Sequence, residues 1–180
     1  MLEIRDCRIT DEFVFFYDSV FSQWADCHFI DYSTDEAVYD SAERYMMRQK
    51  ALLFNDDETA EKIMSAISPS MCKILGKKVK NFTPEKWIQH RISIVTKGNY
   101  LKFSQDLTLK NILMSTGDRI LVEASPYDKV WGIQMDQESP DIENADNWKG
   151  LNLLGVCLMS VRSHFKLIDN ILDPWRQYAK

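Results

Sequence analysis

Residues Tyr39 to Phe54 read YDSAERYMMRQKALLF, and this stretch decides the fold class. Asp40 and Ser41 are capping residues, and Ala, Glu, Arg, Met, Gln and Leu behind them are strong helix formers. The same punctuation repeats further along. Asn55-Asp56-Asp57-Glu58 opens a second predicted helix that ends near Ile67. Ser68-Pro69 sets a cap before a proline at the first helical position and starts a third. Thr83-Pro84 does so again and starts a long fourth helix through Gln105, in which Gly98 marks a bend or a tight contact. A short helix follows near Leu107 to Met114, and GLNLLGVCLMSVRSHF (Gly150 to Phe165) reads as a final amphipathic one. Strand signals are fewer: Phe13–Tyr17, Cys27–Tyr32, Arg119–Ala124 and Val130–Met135, with Ser125-Pro126-Tyr127-Asp128 turning between the last two. The sum is a mainly α fold with a small β element, an α+β class, in one domain spanning residues 1–180.

Composition narrows the function. The 180 residues are 45% hydrophobic and 27% charged, as in an ordinary globular domain. Asp136 to Asp146 is the one acidic stretch that reads as disordered. A net charge of -5 argues against coating nucleic acid through bulk positive charge, so local clusters of cations become informative. Cys7, Cys27, Cys72 and Cys157 form no C-x-x-C pair and no zinc spacing, and read as reduced, mostly buried thiols of a cytoplasmic protein. The start, MLEIRDCRITDE, has no apolar core of a signal peptide, and no run is long enough to span a bilayer. No motif demands a metal or another cofactor. There is no phosphate-binding loop of the Walker type, no G-x-G-x-x-G and no G-x-S-x-G. The three histidines have no paired arrangement.

The first predicted helix carries the best chemical candidates. Glu43 falls in its first turn, where exposed N–H groups and the helix dipole favour a carboxylate. Lys50 lies seven residues on, on the same face and about 10 Å along the axis. Two long side chains so placed can converge on one small ligand; equally, they can be an exposed Glu and an exposed Lys. Five tryptophans stand in the chain, and Trp24, Trp87 and Trp131 are candidates to stack on a base, against the commoner use of Trp in a core. Trp131 precedes Gly132, where backbone can approach a ligand closely. KILGKKVK (Lys73 to Lys80) and Arg91 are candidates for holding a phosphate, though a lysine-rich helix face is usually just solvated. Asp128 orients a water or a hydroxyl, or simply caps its turn.

At these segments the chain resembles the NADAR family, also called YbiA-like or DUF1768. The blocks are Phe21-Ser22-Gln23-Trp24, YDSAERYMMRQKALLF from Tyr39, ISPSMCKILGKKVKNF from Ile67, Trp87 with GNYLKFSQD from Gly98, EASPYDKVWGIQMD from Glu123, and NWKGLNLLGVCLMSVR from Asn147. They fall in family order over about residues 21–162. Glu43, Gln49, Lys50, Asp128, Trp131 and Asn152 match the family pattern. Arg44 stands where the family usually has His, Gln23 where it has Asn, and the loop Ala25–Asp35 lacks the usual proline turn; these departures bear on substrate choice.

The resemblance implies a mainly α-helical single domain and N-glycosidase chemistry without a cofactor. One group of relatives resembles enzymes that hydrolyse phosphorylated ribosylamino-pyrimidine intermediates of riboflavin biosynthesis, releasing base and ribose 5-phosphate. Another resembles hydrolases that remove ADP-ribose from guanine in DNA, which makes ADP-ribosylated DNA a second candidate partner. A non-enzymatic sensor of ADP-ribose or a nucleotide is a third reading. The implied catalytic set is Glu43, Lys50 and Asp128. The implied substrate-binding set is Trp24, Gln49, Trp87, Arg91, Trp131, Gly132 and Asn152. The oligomeric state stays open.

Overall fold

A computed structural model describes residues 4–178. In chain order its elements are β1 (Cys7–Ile9), β2 (Phe13–Phe16), β3 (Phe29–Asp31), β4 (Ala37–Tyr39), α1 (Ala42–Leu53), α2 (Asp57–Met64), α3 (Pro69–Gly76), α4 (Pro84–Gln105), α5 (Leu107–Ser115), β5 (Ile120–Glu123) and α6 (Leu153–Leu172), with short 3-10 turns at Ala145–Asn147 and Asp173–Tyr178. The α+β expectation holds. Among the described residues, no helix is long and apolar enough to cross a membrane. The chain forms two compact units, residues 18–109 and residues 1–17 with 110–180.

In the unit of residues 18–109, α1 packs on α2, α3 and α4. It is buried nearly all round, so its polar side chains need internal partners. Arg44 and Arg48 find them. The Arg44 guanidinium grips both oxygens of Asp40 at 2.7 Å and reaches the carbonyls of Ile63, Met64 and Ala66, at the end of α2. Arg48 donates to the Tyr39 hydroxyl and to Asp35. Three of the four expected caps form: Ser41, Asp56 and Ser68 each accept a backbone N–H of the helix they start, whereas Thr83 makes no side-chain cap bond at the start of α4. Gly98 proves to be a tight contact, because a Cβ there would lie 2.6 Å from the Tyr45 ring. β3 and β4 pair antiparallel, with Phe29 opposite and stacked on Tyr39, and Tyr45 meets the Tyr39 ring edge-on.

In the other unit, β1 pairs antiparallel and β5 parallel with β2, in the order β1-β2-β5. All four residues of β2, FVFF, are buried, as a strand covered on both faces requires. One side of this sheet packs on Ile133, Ile142 and Trp148. α6 packs on β5.

Three expectations need correction here. Val130–Met135 is not a strand. Its carbonyls at Val130, Trp131, Gly132 and Ile133 accept N–H groups from residues 149–154, so the segment is satisfied loop against loop without a ladder. Asp136–Asp146 is ordered, not disordered: Ile142 is buried in the core, and Arg8 ties the segment through the carbonyls of Gln137 and Ser139 and the Glu143 carboxylate. The last helix begins at Leu153 and runs on to Leu172, because Asn152 takes a left-handed conformation (φ 51°) and ends the preceding loop. The tail from Asn170 lies partly in this helix, and Ala179 and Lys180 fall outside the described residues.

Candidate active site

Glu43 is held from both sides of its backbone. Ser41 caps the helix through the Arg44 N–H, and the Glu43 N–H donates to the Gln23 carbonyl at 2.8 Å. The residue is 3% exposed, which removes the reading of Glu43 and Lys50 as a solvated stripe. Lys50 is half-buried. Its Nζ donates to the Gly76 carbonyl at 2.7 Å and stands 4.3 Å from the Phe82 ring centre and 5.6 Å from that of Trp87. Burial pushes the amine below the usual lysine value, and the Glu43 carboxylate pulls it partly back. The acid and the amine therefore share one electrostatic environment.

Other candidates of this unit gather round that pair. Trp87 opens α4 beside Lys50, and Arg91 follows one turn later. Gln49 is half-buried beside the Tyr39 hydroxyl, without a well-formed hydrogen bond from its Nε2. Trp24 is 45% exposed, next to the Gln23 that anchors Glu43, and the Lys73 ammonium lies 5.8 Å from its ring. Within the basic stretch, Lys77 and Lys78 are exposed and Lys80 pairs with Glu58. Gln23 and Asn99 join their side-chain amides at 2.9 Å.

Asp128, Trp131, Gly132 and Asn152 form a second group, in the unit with β5. Asp128 Oδ1 accepts the N–H groups of Val130 and Trp131, at 2.8 and 2.9 Å, which is the turn-capping role. A Cβ on Gly132 would come within 2.9 Å of the Glu123 carbonyl. Asn152 clamps β5: it accepts the Glu123 N–H and donates to the Leu121 carbonyl. Both ends of its amide are thus engaged by the sheet. Trp131 is half-buried.

Sequence reasoning gave no site role to Phe82 or Glu123. Phe82 forms part of the wall around Lys50, and its only linear signal is a position just before the Thr83-Pro84 cap. Lys73 belongs to the lysine stretch already named as a phosphate candidate, and the structure sets it apart by its place beside the Trp24 ring. Glu123 is a buried carboxylate ending β5. Among the described residues, no group of three or more His, Cys, Asp or Glu is placed to hold a metal. None of the four cysteines forms a disulfide, and Cys72 and Cys157 are buried.

This arrangement, a buried carboxylate and a desolvated amine beside aromatic walls, suits an enzyme that handles a developing cation and a flat base. The family profile described as the NADAR domain matches residues 15–166. N-glycosidase R617 of Acanthamoeba polyphaga mimivirus is 44% identical over 163 residues, covering 85% of this chain and 96% of that protein. The chloroplastic riboflavin biosynthesis protein PYRR of Arabidopsis thaliana is 35% identical over 112 residues, 60% of this chain and 17% of that longer protein. The NMR structure of the E. coli protein YbiA superposes with a TM-score of 0.72 at 24% identity, covering 92% of this chain and 91% of that one, which bears on the fold. The chain belongs to the NADAR family and, with its N-glycosidase relatives, to the hydrolases that act on N-glycosyl bonds.

Proposed function

We propose that this chain hydrolyses the ribosyl C1′–N bond of a phosphorylated ribosylamino-pyrimidine intermediate of riboflavin biosynthesis, giving free base and ribose 5-phosphate. The carrying observation is the Glu43–Lys50 pair on α1, with the acid 3% exposed and the amine depressed by burial. The plant relative named for riboflavin biosynthesis supports the substrate class.

Breaking an N-glycoside builds positive charge at C1′ and negative charge on the departing nitrogen. Glu43 stabilises C1′ and accepts the proton of the attacking water. Lys50, an ammonium made more acidic by its surroundings, gives a proton to the leaving nitrogen. Water's hydroxyl ends on C1′, and the two protons exchanged leave both side chains restored over the cycle. Trp87 stacks on the base beside Lys50, and Trp24 covers the open side. The Asp128 cap, Gly132 and the Asn152 clamp position the loop that carries Trp131.

Glu43→Gln keeps the shape and removes the charge. Turnover of a phosphorylated riboside, read as free base by chromatography, is expected to fall by about 100-fold or more with folding intact. Near-normal turnover in that variant would sink the mechanism. Release of ADP-ribose from modified DNA, with no base released from the riboside, would move the substrate to the ADP-ribosyl class.

A further inference from the structure

α4 runs antiparallel to α1. Lys86 Nζ reaches the Leu53 carbonyl, the Trp87 ring lies beside Lys50, and Gly98 lies against Tyr45. At 3.6 residues per turn, positions 87, 91, 94 and 98 share the side of α4 that faces α1. Arg91 therefore sits on that stripe, between the levels of Lys50 and Tyr45. The interval of α1 between those two levels holds Gln49.

Each residue has a buried donor atom without a well-formed hydrogen bond among the described residues, although Gln49 sits beside the Tyr39 hydroxyl. Arg91 is half-buried and its Nε is buried, yet no acceptor among the described residues takes a hydrogen bond from it. The Nε2 of Gln49 is buried in the same way. Arg48 also has an unpaired Nε, but the outer nitrogens of both Arg44 and Arg48 are held by a carboxylate, whereas Arg91 has no ion pair among the described residues. A guanidinium out of water normally finds a counter-charge. Here both unmatched groups are donors and one carries a full positive charge. The complementary ligand is an anion rich in acceptor oxygens.

We propose that Arg91, assisted by Gln49, anchors the phosphate of the substrate, so that the chain requires a ribose carrying a phosphate monoester. This rests on the hydrolase reading above. Gln49 lies about 9 Å along the α1 axis from Glu43 and about 120° round it, so a ribose between a phosphate at Arg91 and a C1′ at Glu43 would cross the helix obliquely. The fork of Arg91 suits two phosphate oxygens, and the lysine-rich stretch is left as a solvated face.

The test measures binding of ribose 5-phosphate, with ribose as the comparison, by calorimetry on the whole chain. Wild type binds the phosphate ester and not ribose. Arg91→Met weakens this by about 30-fold or more, and Lys78→Gln by less than about twofold. A second readout separates anchoring from structure. Because the buried Arg91 Nε has no acceptor among the described residues, Arg91→Met holds Tm or raises it by about 2–4 °C, whereas a structural arginine would lose stability on removal. Should that variant not fold, Arg91→Lys keeps the charge and loses the fork, and binding then drops by about fivefold or more. Unchanged binding in the folded Arg91 variant, an equal loss in Lys78→Gln, or no binding by wild type overturns the proposal. Turnover by wild type with binding insensitive to Arg91 sinks only the anchor. Arg91-dependent binding without turnover sinks only the hydrolase reading.

Discussion

At the scale of single residues, Lys50 shows how position and burial combine. A lysine in the last turn of a helix is favoured by the dipole wherever it points. What makes this one chemical is the Gly76 carbonyl, the two aromatic rings and the loss of water around its amine. Its folded pKa lies below the usual lysine value. Between that lowered value and the unfolded one, the unfolded chain binds more protons than the folded chain. Stability therefore rises with pH across that window, up to the ordinary lysine range. Lys50→Met should flatten this rise in a pH series of thermal melts, and a slope identical to wild type would contradict the assignment. Glu43 was legible as a candidate by its spacing from Lys50, but its burial was not, because a helix position alone does not say which face is covered.

At the scale of elements, the Arg44 position illustrates a residue whose departure from a family pattern has a structural answer. Its guanidinium makes five hydrogen bonds, two to the Asp40 carboxylate and three to the carbonyls of Ile63, Met64 and Ala66, which staple the start of α1 to the end of α2. The carbonyls of a helix end have no internal partners, so this contact stabilises α2 as well as α1. Arg44→Met leaves those carbonyls and the Asp40 carboxylate without their donor. We expect a loss of about 2–3 kcal/mol, seen as a Tm drop of about 4 °C or more. A Tm within a degree or so of wild type would refute the staple. Asp40 gives the matching pH behaviour. Arg44 beside it holds its carboxyl below the usual carboxylate range, so this stabilisation is full above that range and lost as pH falls through the lowered value. The same scale explains the Val130–Met135 correction. Its place after the Ser125–Asp128 turn suggested a strand, but hydrogen bonds to residues 149–154 outcompete a ladder there.

At the scale of the whole molecule, the unit of residues 18–109 is one continuous segment, while the other unit joins residues 1–17 to residues 110–180. β2 and β5, over a hundred residues apart in the chain, pair in parallel, Phe13 with Ile120. Such a pairing carries a loop-closure cost that local helices do not. We retain the single-domain reading as a proposal, and it predicts one cooperative transition in calorimetry with equal calorimetric and van't Hoff enthalpies. Two separated transitions would overturn it. The overall charge of -5 sets no fold but bears on partners: a phosphate site in an acidic protein has to be local.

Helix starts were decided by local chemistry. Ser41, Asp56 and Ser68 accept hydrogen bonds from residues three further on, so caps and periodicity sufficed to place α1, α2 and α3. Glu43 and Lys50 came from the same local rule. Only the folded chain decided which of these polar groups leave water and what meets them. Arg44 finds carbonyls some twenty residues away, Asn152 finds β5 about thirty residues back, and the buried Nε of Arg91 finds no acceptor among the described residues. The reason is physical: capping is satisfied within one turn, whereas burial and its electrostatics depend on neighbours that sequence distance does not reveal.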